Sequence, residues 1–171
     1  MRSSLLEHIP AMRRYARSLT GDVWAADDLV QDTLERACSR WRLWLAGTNL
    51  RAWLFTVMHN LYISDVRQVQ RRAAPHLVSD IDEVSHELHA PASTTDLQLD
   101  LQRCLLRLHL DQRAVLLLVT VEDMSYAEVA KVTGVPLGTV MSRLSRARDR
   151  MRELMSEPAD VAAATPLRRL K

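Results

Sequence analysis

Apolar side chains recur every three or four residues in the first part of the chain, the spacing of amphipathic helices. The pattern predicts one helix near Ser4 to Leu19, a second that starts after Asp22, and a third that starts after Asn49 and reaches Arg72. Asp22 and Asn49 can each accept a hydrogen bond from a backbone N–H group at a helix start. The predicted inward positions are Leu5, Leu6, Ile9, Met12, Ala16 and Leu19 in the first helix, Ala26, Leu29, Val30, Thr33, Leu34, Ala37 and Trp41 in the second, and Leu54, Val57, Met58 and Leu61 in the third.

The second half of the chain predicts four more helices. Residues 97–110 and 111–123 each form one helix, the latter capped by Asp111. Ser125 then lies three residues before Glu128, the spacing of a capping box. Gly134 follows the resulting short helix, where a left-handed residue is needed, and Pro136 suits the start of the next helix. Two short helices joined by a tight glycine turn predict a helix-turn-helix.

The last of these helices carries a polar face suited to DNA. Thr139, Ser142, Arg143 and Arg146 fall at i, i+3, i+4 and i+7, which places them on one face, and Arg150 extends the positive charge. Arginine can bind guanine bidentately, and hydroxyl side chains can reach base edges or phosphates. A solvated basic helix is the alternative, but the cap, turn, proline and polar face all occur in register. The predicted inward positions are Leu137, Val140, Met141, Leu144 and Met151.

Composition and segment character predict an all-α fold with two small helical domains joined by a flexible acidic linker. Aromatic residues make up 5% of the chain and there are only 4 glycines. Residues 73–95 contain two prolines and polar or acidic residues throughout, which favours a linker over a packed element. A short helix around Asp82 to Leu88, packed on a neighbour, is the alternative. The predicted division is 1–72 and 96–155 for the domains, 73–95 for the linker and 156–171 for a frayed tail.

Charge is distributed unevenly around this linker. Residues 1–72 carry 11 basic and 7 acidic side chains, residues 73–95 carry four acidic and no Lys or Arg, and the remainder carries 12 basic and 10 acidic. The formal net charge is only +2. Two positive blocks therefore flank an acidic segment, and both are compatible with binding nucleic acid.

Other function classes find little support. Cys38 and Cys104 are far apart, and without a signal peptide they fit a reducing cytoplasm. No apolar run approaches the length needed to cross a bilayer. His86 and His89 lack a third ligand at metal-site spacing. No nucleophile–base pair or phosphate-binding loop stands out. We therefore expect no enzyme activity, no metal, no cofactor and no small-molecule substrate.

Three segments together resemble bacterial σ factors of the extracytoplasmic-function (ECF, σ70-type) group. They are "ADDLVQDTLERA" at 26–37, "LRAWLFTVMHNLYISDVRQVQRR" at 50–72, and the block from "DQRAVLLLV" to "RDRMRE" at 111–153. The resemblance covers about residues 5 to 153 in the order of the family. A helix-turn-helix of this type also occurs in response-regulator output domains, so the first-domain segments are the specific part.

The resemblance implies a polymerase-binding face and a −10 promoter reader in the first domain. The helix with the "DDLVQD" motif docks on core RNA polymerase in this family, which implicates Asp28, Gln31, Asp32 and Glu35. The third helix and the loop before it correspond to the −10 reader, in which Thr48, Asn49 and Asn60 capture bases and Arg67, Arg71 and Arg72 can hold phosphates. We expect Trp53 to be part of the core and not a base-stacking residue. His59 stands where many relatives carry arginine, which puts one phosphate contact in question or makes it pH-dependent.

The resemblance also implies the partners. They are core RNA polymerase, promoter DNA and an anti-σ factor, with the −35 element read by Thr139, Ser142, Arg143, Arg146 and Arg150. In the family the acidic linker threads the RNA-exit path of the polymerase. A stand-alone helix-turn-helix regulator is the main rival, and it predicts a dimerisation element and palindromic sites. An anti-σ or adaptor protein that binds only proteins leaves the basic helix unexplained.

Overall fold

The computed structural model describes residues 5–41, 49–73 and 96–156, and these form helices without strands. The seven helices that it defines here are α1 (Ile9–Thr20), α2 (Val23–Ser39), α3 (Leu50–Ala73), α4 (Asp96–Leu106), α5 (Leu110–Thr120), α6 (Tyr126–Thr133) and α7 (Leu137–Ser156). Helices α1 to α3 form the first unit and α4 to α7 the second. In these three ranges no helix is both long and apolar enough to cross a membrane.

The helix starts of the first unit are set by the predicted caps. Asp22 accepts a hydrogen bond from the backbone N–H of Ala25 at 2.7 Å. Asn49 accepts one from the backbone N–H of Ala52 at 3.0 Å. Each bond satisfies a donor that the helix itself leaves unpaired. The helices after these two residues are confirmed.

The core of the first unit forms where the apolar faces of α1, α2 and α3 meet. Tyr15 and Phe55 pack edge to face with ring centroids 5.3 Å apart. Trp53 packs in the same manner on Trp41, at 6.4 Å, and is partly buried against the core as expected. Leu6 is 61% exposed, so its predicted inward position is wrong. It lies before the regular start of α1, where helical spacing no longer assigns a face. The other predicted positions that are fully buried are Leu5, Met12, Ala16, Leu19, Ala26, Leu29, Val30, Thr33, Ala37, Leu54 and Met58.

The helix-turn-helix of the second unit is confirmed in its local detail. Ser125 and Glu128 form a reciprocal capping box at the start of α6. Gly134 then adopts a left-handed conformation with φ 69°. Leu137 and Met141 are 48% and 52% exposed, so the prediction that they face inward is wrong. The stripe that α7 does bury is Val140, Leu144, Ala147, Met151 and Leu154.

The predicted cap of α5 is also wrong. The helix begins at Leu110 and its N-cap is His109, whose Nδ1 accepts a hydrogen bond from the backbone N–H of Asp111 at 3.3 Å. Asp111 lies in the first turn, where its charge is favourable to the helix dipole. Its carboxylate forms an ion pair with Arg143 of α7 instead of capping the helix.

The two units pack against each other, α3 on α6 and α1 on both α4 and α5. Their apolar side chains form a continuous buried cluster. The linker is predicted at 73–95 and the tail at 156–171, but Ala73 and Ser156 are the last residues of α3 and α7. Residues 74–95, with the alternative helix at 82–88, and residues 157–171 lie outside the described residues. The linker and the exact domain boundaries therefore stay predictions.

Gly21 closes α1 at a point where the two units approach each other. Its φ is 75°, and an added Cβ would lie 2.7 Å from Cδ1 of Leu106 in α4. We expect Gly21→Ala to lower the free energy of unfolding by about 1–2 kcal/mol, because left-handed backbone is costly for alanine. Gly138→Ala is the control, since an added Cβ there meets nothing within 4 Å. It lies in a helix, so alanine should stabilise by up to about 1 kcal/mol. Urea unfolding measures both changes, and equal effects of the two substitutions would contradict this account.

Candidate functional site

The outer face of α2 presents the four side chains predicted to bind polymerase. Asp28, Gln31, Asp32 and Glu35 are all exposed, on the side of the helix opposite its buried residues. The amide of Gln31 donates a hydrogen bond to Glu35 at 3.1 Å. The structure therefore brings this predicted set together as an acidic stripe that is open to solvent.

Trp24 extends this stripe and was missed by the sequence predictions. Its side chain is 75% exposed, although Trp is a large apolar residue. It precedes Asp28, Gln31 and Glu35 by four, seven and eleven residues, which places it on the same face of α2. That spacing was visible in the sequence and could have identified it. Exposed aromatic residues beside polar ones are a frequent composition of protein–protein contact sites.

A polar face of α3 carries most of the predicted −10 residues. Asn60, Arg67 and Arg71 are exposed and lie at i, i+7 and i+11, so they share one side of the helix. Arg72 is exposed on a neighbouring side. Thr48 lies outside the described residues. An amide followed by two guanidinium groups along one face can meet a base and the phosphates beside it.

Asn49 does not join this group. Besides capping α3, its amide donates a hydrogen bond to Oε1 of Glu128 at 2.7 Å, across the junction of the two units. The carboxylate of Glu128 also accepts bonds from the backbone N–H and hydroxyl of Ser125, which lower its pKa. Asn49 is therefore occupied by the cap of the helix-turn-helix.

The predicted −35 residues of α7 divide into two kinds. Arg146 and Arg150 are exposed, although Arg150 also forms an ion pair with Glu153 at 2.9 Å. Thr139 and Ser142 are partly buried, as is Arg143, whose ion pair with Asp111 measures 2.5 Å. Of the two arginines predicted to read bases, Arg146 is thus available to DNA, whereas Arg143 is held within the second unit.

His59 is buried, at 6% exposure, and faces the second unit. Its pKa is lowered to about 4, chiefly by burial; Asp111 opposes this shift, and nearby Arg143 and Arg67 add to it. A neutral, buried imidazole cannot hold a phosphate in this arrangement. The pH-dependent phosphate contact considered for this residue is therefore not available here.

Both units match known family models. Residues 5–59 match the Sigma2 domain of PhyR, and residues 98–151 match Sigma-70, region 4. The chain is 38% identical over 158 residues to the ECF RNA polymerase sigma factor EcfG of Rhodopseudomonas palustris (strain TIE-1). The matched region covers 91% of this chain and 84% of that relative. The chain belongs to the ECF family of RNA polymerase sigma factors.

Two solved structures have the same fold. Sigma factor RpoE of Bartonella quintana, in complex with the anti-sigma factor NepR, superposes with a TM-score of 0.74 and 37% identity over 90% of this chain and 95% of that one. CnrH, in complex with the cytosolic domain of CnrY, gives a TM-score of 0.66 and 25% identity over 90% and 85%. An ECF sigma factor directs transcription initiation, and this one carries both σ domains. A stand-alone helix-turn-helix regulator is not favoured, because it leaves the first unit without a role.

The buried His59 predicts a pH dependence of stability. Its folded pKa of about 4 lies below the ordinary 6.5, so the unfolded chain binds a proton first as the pH falls. The contribution of His59 to the free energy of unfolding is complete above about pH 6.5 and decreases as the pH falls toward about 4. The total decrease is about 1.4 kcal/mol for each pH unit between the two pKa values. Urea unfolding from pH 7.5 to 4.5 should show a shallower loss for His59→Gln than for the native chain. Parallel curves would show that His59 is not the titrating group.

Proposed function

We propose that this ECF sigma factor assigns its three contacts to three separate helices. The exposed face of α2 binds core RNA polymerase, the polar face of α3 opens the −10 element, and α7 docks on the −35 element. The observation that carries the proposal is that each of the three helices presents exposed polar side chains, Arg146 and Arg150 in the case of α7, while the opposite side of the same helix is buried in the core. The polymerase performs the bond chemistry, and the sigma factor supplies promoter recognition in the cytoplasm without a cofactor.

On α2 the proposed contact combines charge with one apolar anchor. Asp28, Asp32 and Glu35 suit a basic partner, and complementary charge speeds encounter and favours the correct partner. Gln31 can add a hydrogen bond from the centre of the stripe. Trp24 supplies the large apolar contact that charged residues lack, in the manner of a binding hot spot.

On α3 the proposed contact is with separated bases and their backbone. Asn60 can both donate to and accept from a base edge. Arg67 and Arg71 on the same face hold the phosphates, and Arg72 extends this charge. Removing a base from the stack costs roughly a few kcal/mol, which these contacts must offset. Thr48 and Asn49, which precede α3 in the sequence, remain the proposed partners of a second captured base.

On α7 the proposed contact is with duplex DNA. Arg146 reads a guanine edge in the major groove, and Arg150, one turn further on, contacts a phosphate. Thr139 and Ser142 lie at the flank and can reach the backbone or a base edge. Arg143 can join them when a phosphate or base replaces Asp111 as its partner.

The solved structures support one further partner, an anti-σ factor. RpoE was solved in complex with the anti-sigma factor NepR, and CnrH in complex with the cytosolic domain of CnrY. We infer that an anti-σ factor likewise controls this chain. The acidic segment 73–95 would occupy the RNA-exit path of the polymerase, where its four carboxylates imitate the charge of nucleic acid.

Run-off transcription with purified core polymerase and genomic fragments tests the proposal directly. Transcripts should start at defined sites only when this chain is present. Trp24→Ala and Asp28→Ala should each weaken the binding of the chain to core polymerase. Leu97→Ala is the matched control, since Leu97 is 74% exposed on α4, away from α2. Loss of binding with all three variants alike would refute a specific role for α2.

Asn60→Ala should impair promoter opening without affecting folding or polymerase binding. Loss of one polar base contact should cost about 1–3 kcal/mol in open-complex stability. Gln68→Ala is the control, because it removes an exposed amide from another side of the same helix. Permanganate footprinting of the −10 region measures the melted fraction. Normal melting by Asn60→Ala would show that this residue does not hold a base.

Arg146→Ala and Arg150→Ala should have different effects on DNA binding. The first should cost about 1–3 kcal/mol and relax the preference at one −35 position, because base edges carry sequence information. The second should weaken the affinity for all promoter sequences alike. It should also reduce the salt dependence of that affinity by the amount expected for about one phosphate contact. A promoter library transcribed at two salt concentrations measures both effects. If neither variant alters the −35 preference, α7 docks by shape and charge alone.

A further inference from the structure

The most completely buried acidic side chain in the described residues joins the two units. The carboxylate of Glu122, in the second unit, has no solvent-exposed surface. Arg14 of α1 donates to it twice, from Nε to Oε1 and from Nη2 to Oε2, each at 3.1 Å. Arg51 of α3 donates from Nη2 to Oε2 at 2.8 Å and also to the backbone carbonyl of Glu122. Both arginines belong to the first unit.

The turn after α5 directs this carboxylate inward. Asp123, the next residue, has a φ of 48°, a conformation that Asp tolerates better than most residues. The backbone N–H groups of Glu122 and Met124 bond back to the carbonyls of Leu117 and Leu118, at 3.2 and 3.1 Å. The chain thus reverses tightly at this point, and Glu122 points at the first unit.

The interface between the two units buries charged and polar side chains, a composition typical of an interface that opens and closes. Permanent interfaces are mostly apolar, and a buried ion pair gains little over a well-packed apolar pair because of its desolvation cost. Besides Glu122, the junction buries Arg113, at 5% exposure, beside Tyr15 and Tyr62. Arg14 and Arg51 keep 54% and 32% of their side chains exposed. When the units part, these polar groups regain water, which offsets part of the lost apolar contact.

We propose that Glu122 is a latch that holds the free sigma factor closed and keeps it from engaging a promoter. In the closed arrangement the amide of Asn49 donates a hydrogen bond to Glu128, so the group proposed to bind the −10 element is already bonded to the −35 unit. The functional consequence rests on the proposed role of Asn49, whereas the latch itself rests on the contacts of Glu122. Promoter binding requires Arg14 and Arg51 to release the carboxylate.

Arg14 has a matched control in its own helix. Arg13 and Arg14 are neighbours in α1 with equally exposed side chains, each 54%. Arg13 pairs with Asp27 inside the first unit, and Arg14 pairs with Glu122 across the junction. Arg13→Ala and Arg14→Ala therefore remove the same side chain from similar surroundings, and only the second weakens the latch.

Single-molecule energy transfer in the full chain measures the opening. Donor and acceptor dyes are attached to Cys38 in α2 and to a cysteine introduced by Lys131→Cys in α6, with Cys104→Ser to prevent a third label. Both labelled positions are exposed. We expect Arg14→Ala to raise the ratio of open to closed molecules about fivefold over Arg13→Ala, the effect of an interaction worth about 1 kcal/mol. Glu122→Gln should open the chain further, and circular dichroism should show that all variants keep their helices.

The same variants test the functional consequence. With limiting core polymerase and promoter DNA, Arg14→Ala should form open complexes faster than Arg13→Ala. Equal energy transfer in Arg13→Ala and Arg14→Ala would overturn the latch, even if Glu122→Gln fails to fold. More open molecules without faster open-complex formation would overturn its inhibitory role. If even the native chain supports no transcription, the proposed function fails, while the energy transfer still decides whether Glu122 holds the units together.

Discussion

The carboxylate of Glu122 lies out of contact with water, and that condition constrains the arrangement of the whole molecule. A buried charge is tolerable only when its oxygens are hydrogen-bonded and its charge is balanced. Arg14 and Arg51 meet both requirements, but they do so from two different helices of the first unit. The three side chains can be satisfied together only in one relative placement of the units. Apolar contact alone would favour association without specifying that register.

Helix α3 shows how one element serves three purposes through three of its sides. Its apolar side, with Leu54 and Phe55, completes the core of the first unit. An adjoining side carries His59 toward the second unit, which Arg51 also reaches from the first turn of the apolar side. A third side, with Asn60, stays exposed. Because a helix distributes consecutive residues around its axis, recognition and folding can be separated within one segment.

The helix-turn-helix is coupled to the first unit through its own capping box. Glu128 orders the start of α6 by accepting bonds from Ser125, and the same carboxylate accepts the amide of Asn49. The capping box that stabilises α6 therefore also contributes a contact between the two units. In α7, Arg143 is bound by Asp111 while Arg146 remains exposed, so the charge available to DNA depends on which pairs form within the protein.

The sequence alone determined the features whose causes are local. The caps at Asp22, Asn49 and Ser125, the turn at Gly134 and the exposed face of α2 follow from hydrogen bonds and spacings within a few residues, and the family resemblance followed from contiguous segments. Only the tertiary structure decided which side chains meet across the chain. Glu122 pairs with residues 108 and 71 positions away, and helical periodicity carries no information about such partners. The same reason accounts for the burial of His59, the exposure of Met141 and the pairing of Asp111 with Arg143, because each depends on which surface another helix covers.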